Sequence, residues 1–359
     1  MKLVLHIGTP KTGTTALQAG LARERGALAA AEVCYPALTG RSGHALLSLT
    51  LGTGPVANRI LRQHYDGAWP RAARDLEAAW SEVEAAAAAG PRVMILSSEY
   101  FFARLTDASA PALHARLARL SADLHIIAYI RRPSEYFLSL AQQHLKRAST
   151  IPDPAGIDLA GALDRWERHF PGRVEAVRFE RGALRGADIL NDFLSRAVPG
   201  GAPGIAPAPV INESLSAEAM SVMQDYQRRW CPGRDDIQTK GKRALLRLVQ
   251  AFDAADPATR KPRLRAGVGP RLDARMGDPE ILARRWGLDF AGPPPEPGPA
   301  PRLVDVADLC EIDTARLARM RASVHRPWGA DLRLRRRVVA EKLRARLLWA
   351  GCGVSPARG

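Results

Sequence analysis

No uninterrupted run of about 18 or more apolar residues occurs in the 359-residue chain, so no segment has the character of a membrane-spanning helix. Cysteine is scarce too: Cys34, Cys231, Cys310 and Cys352 are far apart, and none forms a Cys-x-x-Cys pair. That spacing indicates neither a zinc site nor a disulfide framework, and no metal is expected. An apolar strand pattern begins at Leu3, which leaves no room for a charged, apolar leader, and a cytoplasmic protein is the expectation. Acidic residues are in deficit, 37 against 52 lysines and arginines, and the formal charge of +15 favours acidic partners. Nucleic acid, an anionic membrane surface and a multiply charged nucleotide all fit that balance. Charge alone selects none of them.

What is present is a chain that can bury a sizeable core, with 46% hydrophobic and 25% charged residues. Its focal stretch runs from Lys2 to Leu17. Leu3-Val4-Leu5-His6-Ile7 is short, apolar and rich in branched residues, as a buried parallel strand is. Gly8 and Gly13 then bracket Thr9-Pro10-Lys11-Thr12, and Thr14-Thr15-Ala16-Leu17-Gln18 opens a helical pattern. In a strand–loop–helix of this kind the loop amides and the positive helix end converge on one small space, which suits a phosphate. The two glycines have the spacing of a Walker loop, but Thr14 stands where that loop has its lysine. The lysine lies inside the loop instead, as Lys11. A nucleoside triphosphatase uses the post-glycine lysine on its terminal phosphates, so its displacement counts against that chemistry.

The run Pro10-Lys11-Thr12-Gly13-Thr14-Thr15-x-Leu17 resembles the phosphosulfate-binding loop of the sulfotransferase family. Members move a sulfuryl group from 3′-phosphoadenosine-5′-phosphosulfate (PAPS) to a hydroxyl or amine. The resemblance implies that Pro10, Lys11, Thr12, Gly13, Thr14 and Thr15 bind the 5′ end of this donor. Lys11 would also act catalytically, by offsetting charge on the leaving oxygen. A second stretch agrees in order and spacing. His125-Ile126-Ile127-Ala128-Tyr129-Ile130 reads as another strand, and it is followed by Arg131-Arg132-Pro133 and then Ser139. In the family an arginine at a strand end, a proline two residues later and a serine eight residues later hold the donor's 3′-phosphate. Arg131, Pro133 and Ser139 fall on that pattern, although either Arg131 or Arg132 could point inward. A guanidinium is well suited to the task, because it gives charged, paired donors to phosphate oxygens. The ordinary reading of two strand-end surface arginines weakens once both motifs occur in order, about 120 residues apart.

Two residues compete as the base that would deprotonate an acceptor. Arg92-Val93-Met94-Ile95-Leu96 is a strand candidate, and Glu99 follows it beside Tyr100, Phe101 and Phe102. Ligands bind at such strand ends in open α/β sheets, and an apolar setting raises a carboxyl pKa toward what a base requires. Family members carry a histidine or a glutamate base in the comparable place, and Glu99 matches it. The alternative for Glu99 is a helix-capping carboxylate. His44, at a junction between the Gly40–Gly43 loop and an apolar helix, is the competitor; its bland reading is a residue at the start of a helix with no chemistry.

The remaining chain fixes the expected architecture. Helical patterns over 66–90, 135–146, 158–170 and 187–193 alternate with strand patterns near 33–36, 92–96, 125–130 and 173–180. This implies an α/β fold with a P-loop-type parallel β-sheet flanked by helices, in a core over 1–205. A helical region over 206–290 is expected to complete an acceptor cleft, with Ser216 capping a helix over 217–230. Lys240-Gly241-Lys242-Arg243 is a partial likeness to a donor-closing loop of the family and lacks the rest of that motif. A proline-rich connector covers 291–301, and a basic segment follows over 302–359. Within that segment 332–349 alternates apolar residues with seven arginines or lysines. It could lie on an anionic membrane surface, bind nucleic acid, or pack as a solvated terminal helix, the last being favoured.

The expected function is therefore PAPS-dependent sulfuryl transfer to a hydroxyl or amine acceptor, a carbohydrate or lipid-linked glycan among the candidates, with no nucleic acid partner. A Mg-ATP-dependent P-loop kinase and a non-catalytic polyanion-binding protein are the alternatives. The acceptor and the oligomeric state are not legible.

Overall fold

The structure, a computed structural model, describes residues 1–9, 11–38, 43–52, 61, 64–65, 67–180, 182–202, 204–209, 214–235, 237–290 and 302–325. Pro10, the proline-rich connector and the basic segment beyond 325 lie outside the described residues. The five strands are β1 (Lys2–His6), β2 (Val33–Cys34), β3 (Val93–Ser97), β4 (Leu124–Ile130) and β5 (Val174–Arg178). The helices that matter below are α1 (Thr14–Arg23), α2 (Trp69–Ala88), α3 (Ala110–Leu120), α4 (Pro133–Leu145), α5 (Leu159–His169), α6 (Ile189–Ala197), α7 (Ala217–Trp230), α8 (Lys240–Ala255), α9 (Val268–Met276) and α10 (Thr314–His325). Contacts gather these into two compact units. One comprises Met1–Pro133, Ile157–Ile211 and Met276–Ala291; the other comprises Ser134–Gly156, Asn212–Arg275 and Gly292–Gly359. The two units interleave along the chain, with 134–156 in the second and 276–291 in the first.

The first unit is a five-stranded sheet in the order β2-β3-β1-β4-β5, parallel at every pairing, as the α/β expectation requires. Parallel sheets are covered on both faces, so their central strands are apolar throughout. Leu3, Val4 and Leu5 of β1 and Val93 to Leu96 of β3 are accordingly fully buried. Helices form where the period changes from two to 3.6. In α2 the buried positions Ala72, Leu76, Ala79, Trp80 and Val83 make one stripe, and a proline sits in its first turn. Side-chain caps fix two starts: Asp158 accepts from the Gly161 amide at α5, and Asp188 from the Asn191 amide at α6. On one face Leu17 and Leu21 of α1 meet Leu190, Phe193 and Leu194 of α6 over Val4 and Ile127.

Because β1 is central, the chain passes to β2 and β3 on one side of it and to β4 and β5 on the other. The loop after β1 therefore lies at the carboxyl edge where the winding direction reverses, the place at which α/β sheets open a crevice.

The second unit is helical, and its centre is a buried arginine. Arg316 on α10 uses all five of its N–H donors: Nη1 on Ser216 and Glu218, Nη2 on Asp253 and Thr259, and Nε on Asp256. The guanidinium also lies 5.4 Å from the centre of the Phe252 ring. These partners come from the start of α7 and the end of α8, so one side chain joins three helices. The Ser216 hydroxyl also accepts from the Ala219 amide, as the sequence leads one to expect of a cap.

Candidate functional site

The loop after β1 is built on the neighbouring strand. The Ile7 amide donates to Ile127 O (3.0 Å) and the Thr9 amide to Tyr129 O (2.9 Å), which carries the pairing with β4 beyond the end of β1. The Thr12 hydroxyl closes back on Thr9 O at 2.6 Å. Lys11 and Gly13 both take left-handed backbone, each with φ of 73°. A side chain at Gly13 would also meet the Phe179 ring at 3.2 Å, so glycine is required there on two counts. For Lys11 the same conformation carries strain, of the kind found at ligand sites.

Gly13 is the N-cap of α1 and offers no side-chain oxygen, so the first-turn amides of α1 have no side-chain cap. Within that turn the two threonines differ. Thr15 is exposed, whereas Thr14 is 4% exposed and its hydroxyl oxygen has no hydrogen-bond partner. A buried hydroxyl without a partner is costly and uncommon. It stands at an uncapped helix start, where an anionic oxygen would satisfy amides and hydroxyl together. The residues present therefore fit an anionic group of phosphate type. Arg131 and Arg132 follow β4 directly, two and three residues beyond Tyr129, and both are half-buried. Ser139 is half-buried in the second turn of α4 and belongs to the second unit.

The two base candidates separate clearly. His44 is 1% exposed and both of its ring nitrogens are engaged. Nδ1 accepts from the Ser97 amide (3.1 Å), so the proton sits on Nε2, which donates to Pro36 O (3.0 Å). The His44 amide in turn donates to Ser97 O at 2.9 Å. Backbone and ring thus pair with both backbone polar groups of Ser97 and finish the edge of β3 as another strand would. Burial holds its pKa down at about 4, the Pro36 bond opposing and the charge of Arg25 assisting. Both ring nitrogens of His44 are thus committed to hydrogen bonds within the fold.

Glu99 begins a short 3-10 turn after β3, set off by Ser98, whose hydroxyl accepts from the Tyr100 amide. It is half-buried, and desolvation pushes its carboxyl above the ordinary range, against backbone hydrogen bonding and the Gln18 side chain. Gln18 was not singled out by sequence reasoning. Its Nε2 lies 3.3 Å from Glu99 Oε2, 3.2 Å from Ser97 O and 3.2 Å from Ser97 Oγ. The available signal was its spacing of four from Thr14, which puts both on one face of α1. His6 completes the cluster, with Nδ1 2.8 Å from Ser97 Oγ, its edge against the Phe193 ring and its pKa lowered by burial to about 3.

Outside the first unit, the Lys240–Arg243 stretch is the opening turn of α8, capped by Thr239. Lys242 is fully buried, its ammonium donating to Arg147 O and Arg234 O (2.5 and 2.6 Å). It therefore serves as an internal tie. Among the described residues no helix is long and apolar enough to cross a membrane.

The chain thus has a parallel α/β sheet with an uncapped, lysine-bearing turn after its central strand. Comparison with family models, with curated proteins and with solved structures finds no match for this chain.

Proposed function

We propose that this chain is a sulfotransferase that takes the sulfuryl group of PAPS to a hydroxyl or amine acceptor. The observation that carries the reading is the buried, partnerless hydroxyl of Thr14 at the uncapped start of α1, three residues after Lys11 in the sequence. The donor, when bound, supplies an activated sulfuryl group. The amides of Gly13, Thr14 and Thr15 and the Thr14 hydroxyl would hold its 5′-phosphate, and Arg131 its 3′-phosphate. Lys11 would offset the charge that develops on the phosphate oxygen as its bond to sulfur breaks. Glu99 would take the acceptor's proton as the acceptor oxygen or nitrogen bonds to sulfur. A carboxyl with a raised pKa is a stronger base than an exposed one, and it acts once deprotonated, so activity should rise with pH through its titration. Removing one cation aimed at developing charge typically costs about 3 kcal/mol, or roughly a hundredfold in rate.

Thermal unfolding with adenosine 3′,5′-bisphosphate, with Mg-ATP and with neither tests the donor site. At about a hundred times its dissociation constant the bisphosphate should stabilise the fold by roughly 2.7 kcal/mol, and Arg131→Ala should abolish the shift. A shift with Mg-ATP alone would refute the reading in favour of a kinase.

A further inference from the structure

We infer that Gln18 is the positioning residue for the Glu99 carboxylate, and that α1 thereby couples the donor loop at its N-terminus to the base at the end of β3. This rests on the reading of Glu99 as base. Gln18 lies one turn beyond Thr14 and is 9% exposed. Its side-chain amide fits between the end of β3 and the carboxylate, facing Ser97 O, Ser97 Oγ and Glu99 Oε2 at 3.2–3.3 Å. A carbonyl and a carboxylate only accept, so the amide nitrogen must be the atom that faces them. The reverse orientation would set oxygen against two oxygens.

The amide is held from the other side as well. A Cβ at Gly43 would lie 2.2 Å from Gln18 Oε1, so only glycine lets the chain before His44 run flush against this side chain. Ser97 Oγ, one of the three acceptors, is held in turn by His6. His6 and His44 are both neutral at working pH, so the Glu99 carboxylate is the charge to which the Gln18 donor responds. Burial makes the carboxyl more basic, and the Gln18 N–H opposes that by favouring the ionised form while aiming one oxygen. A side chain that merely packed α1 on β3 would do neither.

The test compares the full chain with Gln18→Met, which keeps the length and removes the donor, and Gly43→Ala, which displaces the amide without touching it chemically. Carboxyl-carbon NMR of the glutamate-labelled protein follows the Glu99 titration, with its signal assigned by Glu99→Gln. Bisphosphate release from PAPS with water as acceptor follows turnover, and the thermal shift with adenosine 3′,5′-bisphosphate reports an intact donor site. We expect the Glu99 midpoint to move to higher pH in both variants and turnover at neutral pH to fall about tenfold. The bisphosphate shift should be retained. An unmoved Glu99 midpoint in a variant that keeps the bisphosphate shift overturns the positioning role and leaves the sulfotransferase reading standing. A wild-type chain that shows no bisphosphate shift overturns that reading, and the inference with it. If Gln18→Met fails to fold, Gly43→Ala carries the same comparison.

Discussion

Two buried neutral histidines should make the first unit sensitive to mild acid, and His44 is the one to perturb. In the unfolded chain it titrates near 6.5, and in the fold near 4, so between those values the unfolded state binds the proton more readily. Stability is then full above about pH 6.5 and falls as the pH drops toward 4. The linkage relation gives a loss of about 2 kcal/mol for His44 between about pH 7.5 and about pH 5. His6, lowered to about 3, adds about the same over that interval. Glu99 works in the opposite sense, because its raised pKa means the fold takes up its proton first. His44→Gln keeps a donor for Pro36 O and an acceptor for the Ser97 amide but cannot titrate. It should lose about 1 kcal/mol at neutral pH and should cut the acid loss from about 4 to about 2 kcal/mol. Urea unfolding over a pH series, followed by tryptophan fluorescence, measures this; the fully buried Trp80 and Trp166 lie in the same unit as both histidines. Parallel losses in the wild type and the variant would refute the assignment of His44 as a neutral, proton-linked group.

Gly13→Ala should cost about 1–2 kcal/mol from left-handed strain alone and should weaken the bisphosphate thermal shift, since the Phe179 ring leaves a Cβ little room; an unchanged shift would separate the turn from ligand binding. Arg316→Met should destabilise the second unit by about 3–5 kcal/mol, because it leaves the Glu218 and Asp253 carboxylates buried without their cation. Calorimetry that found a loss below about 1 kcal/mol would show that water replaces the guanidinium readily.

Much of the first unit could be read from its sequence because local chemistry and tertiary placement agree there. The strands β1, β3 and β4 are apolar runs ended by turn signals, and Asp158 and Asp188 sit where caps belong. The loop around Lys11 was legible for the same reason, since its glycine spacing is a local requirement. His44 was not, because its role depends on Pro36 O and the Ser97 amide, which only the fold brings to it. Lys242 stands in a basic run with only a partial motif likeness, and nothing nearby announces the two carbonyls that accept its hydrogen bonds. The exchange of segments between the units is likewise a matter of contacts made far along the chain.

Arg316 has a consequence for how the protein is made. The carboxylates of Glu218, Asp253 and Asp256 leave the ribosome long before the one side chain that pairs with all three, and Thr259 waits for the same donor. Until α10 is synthesised, α7 and α8 can meet only as a pair with acidic groups turned toward each other, so vectorial synthesis postpones completion of the second unit to its final helix. A ribosome stalled shortly before residue 316 should carry a nascent chain whose second unit is open to protease.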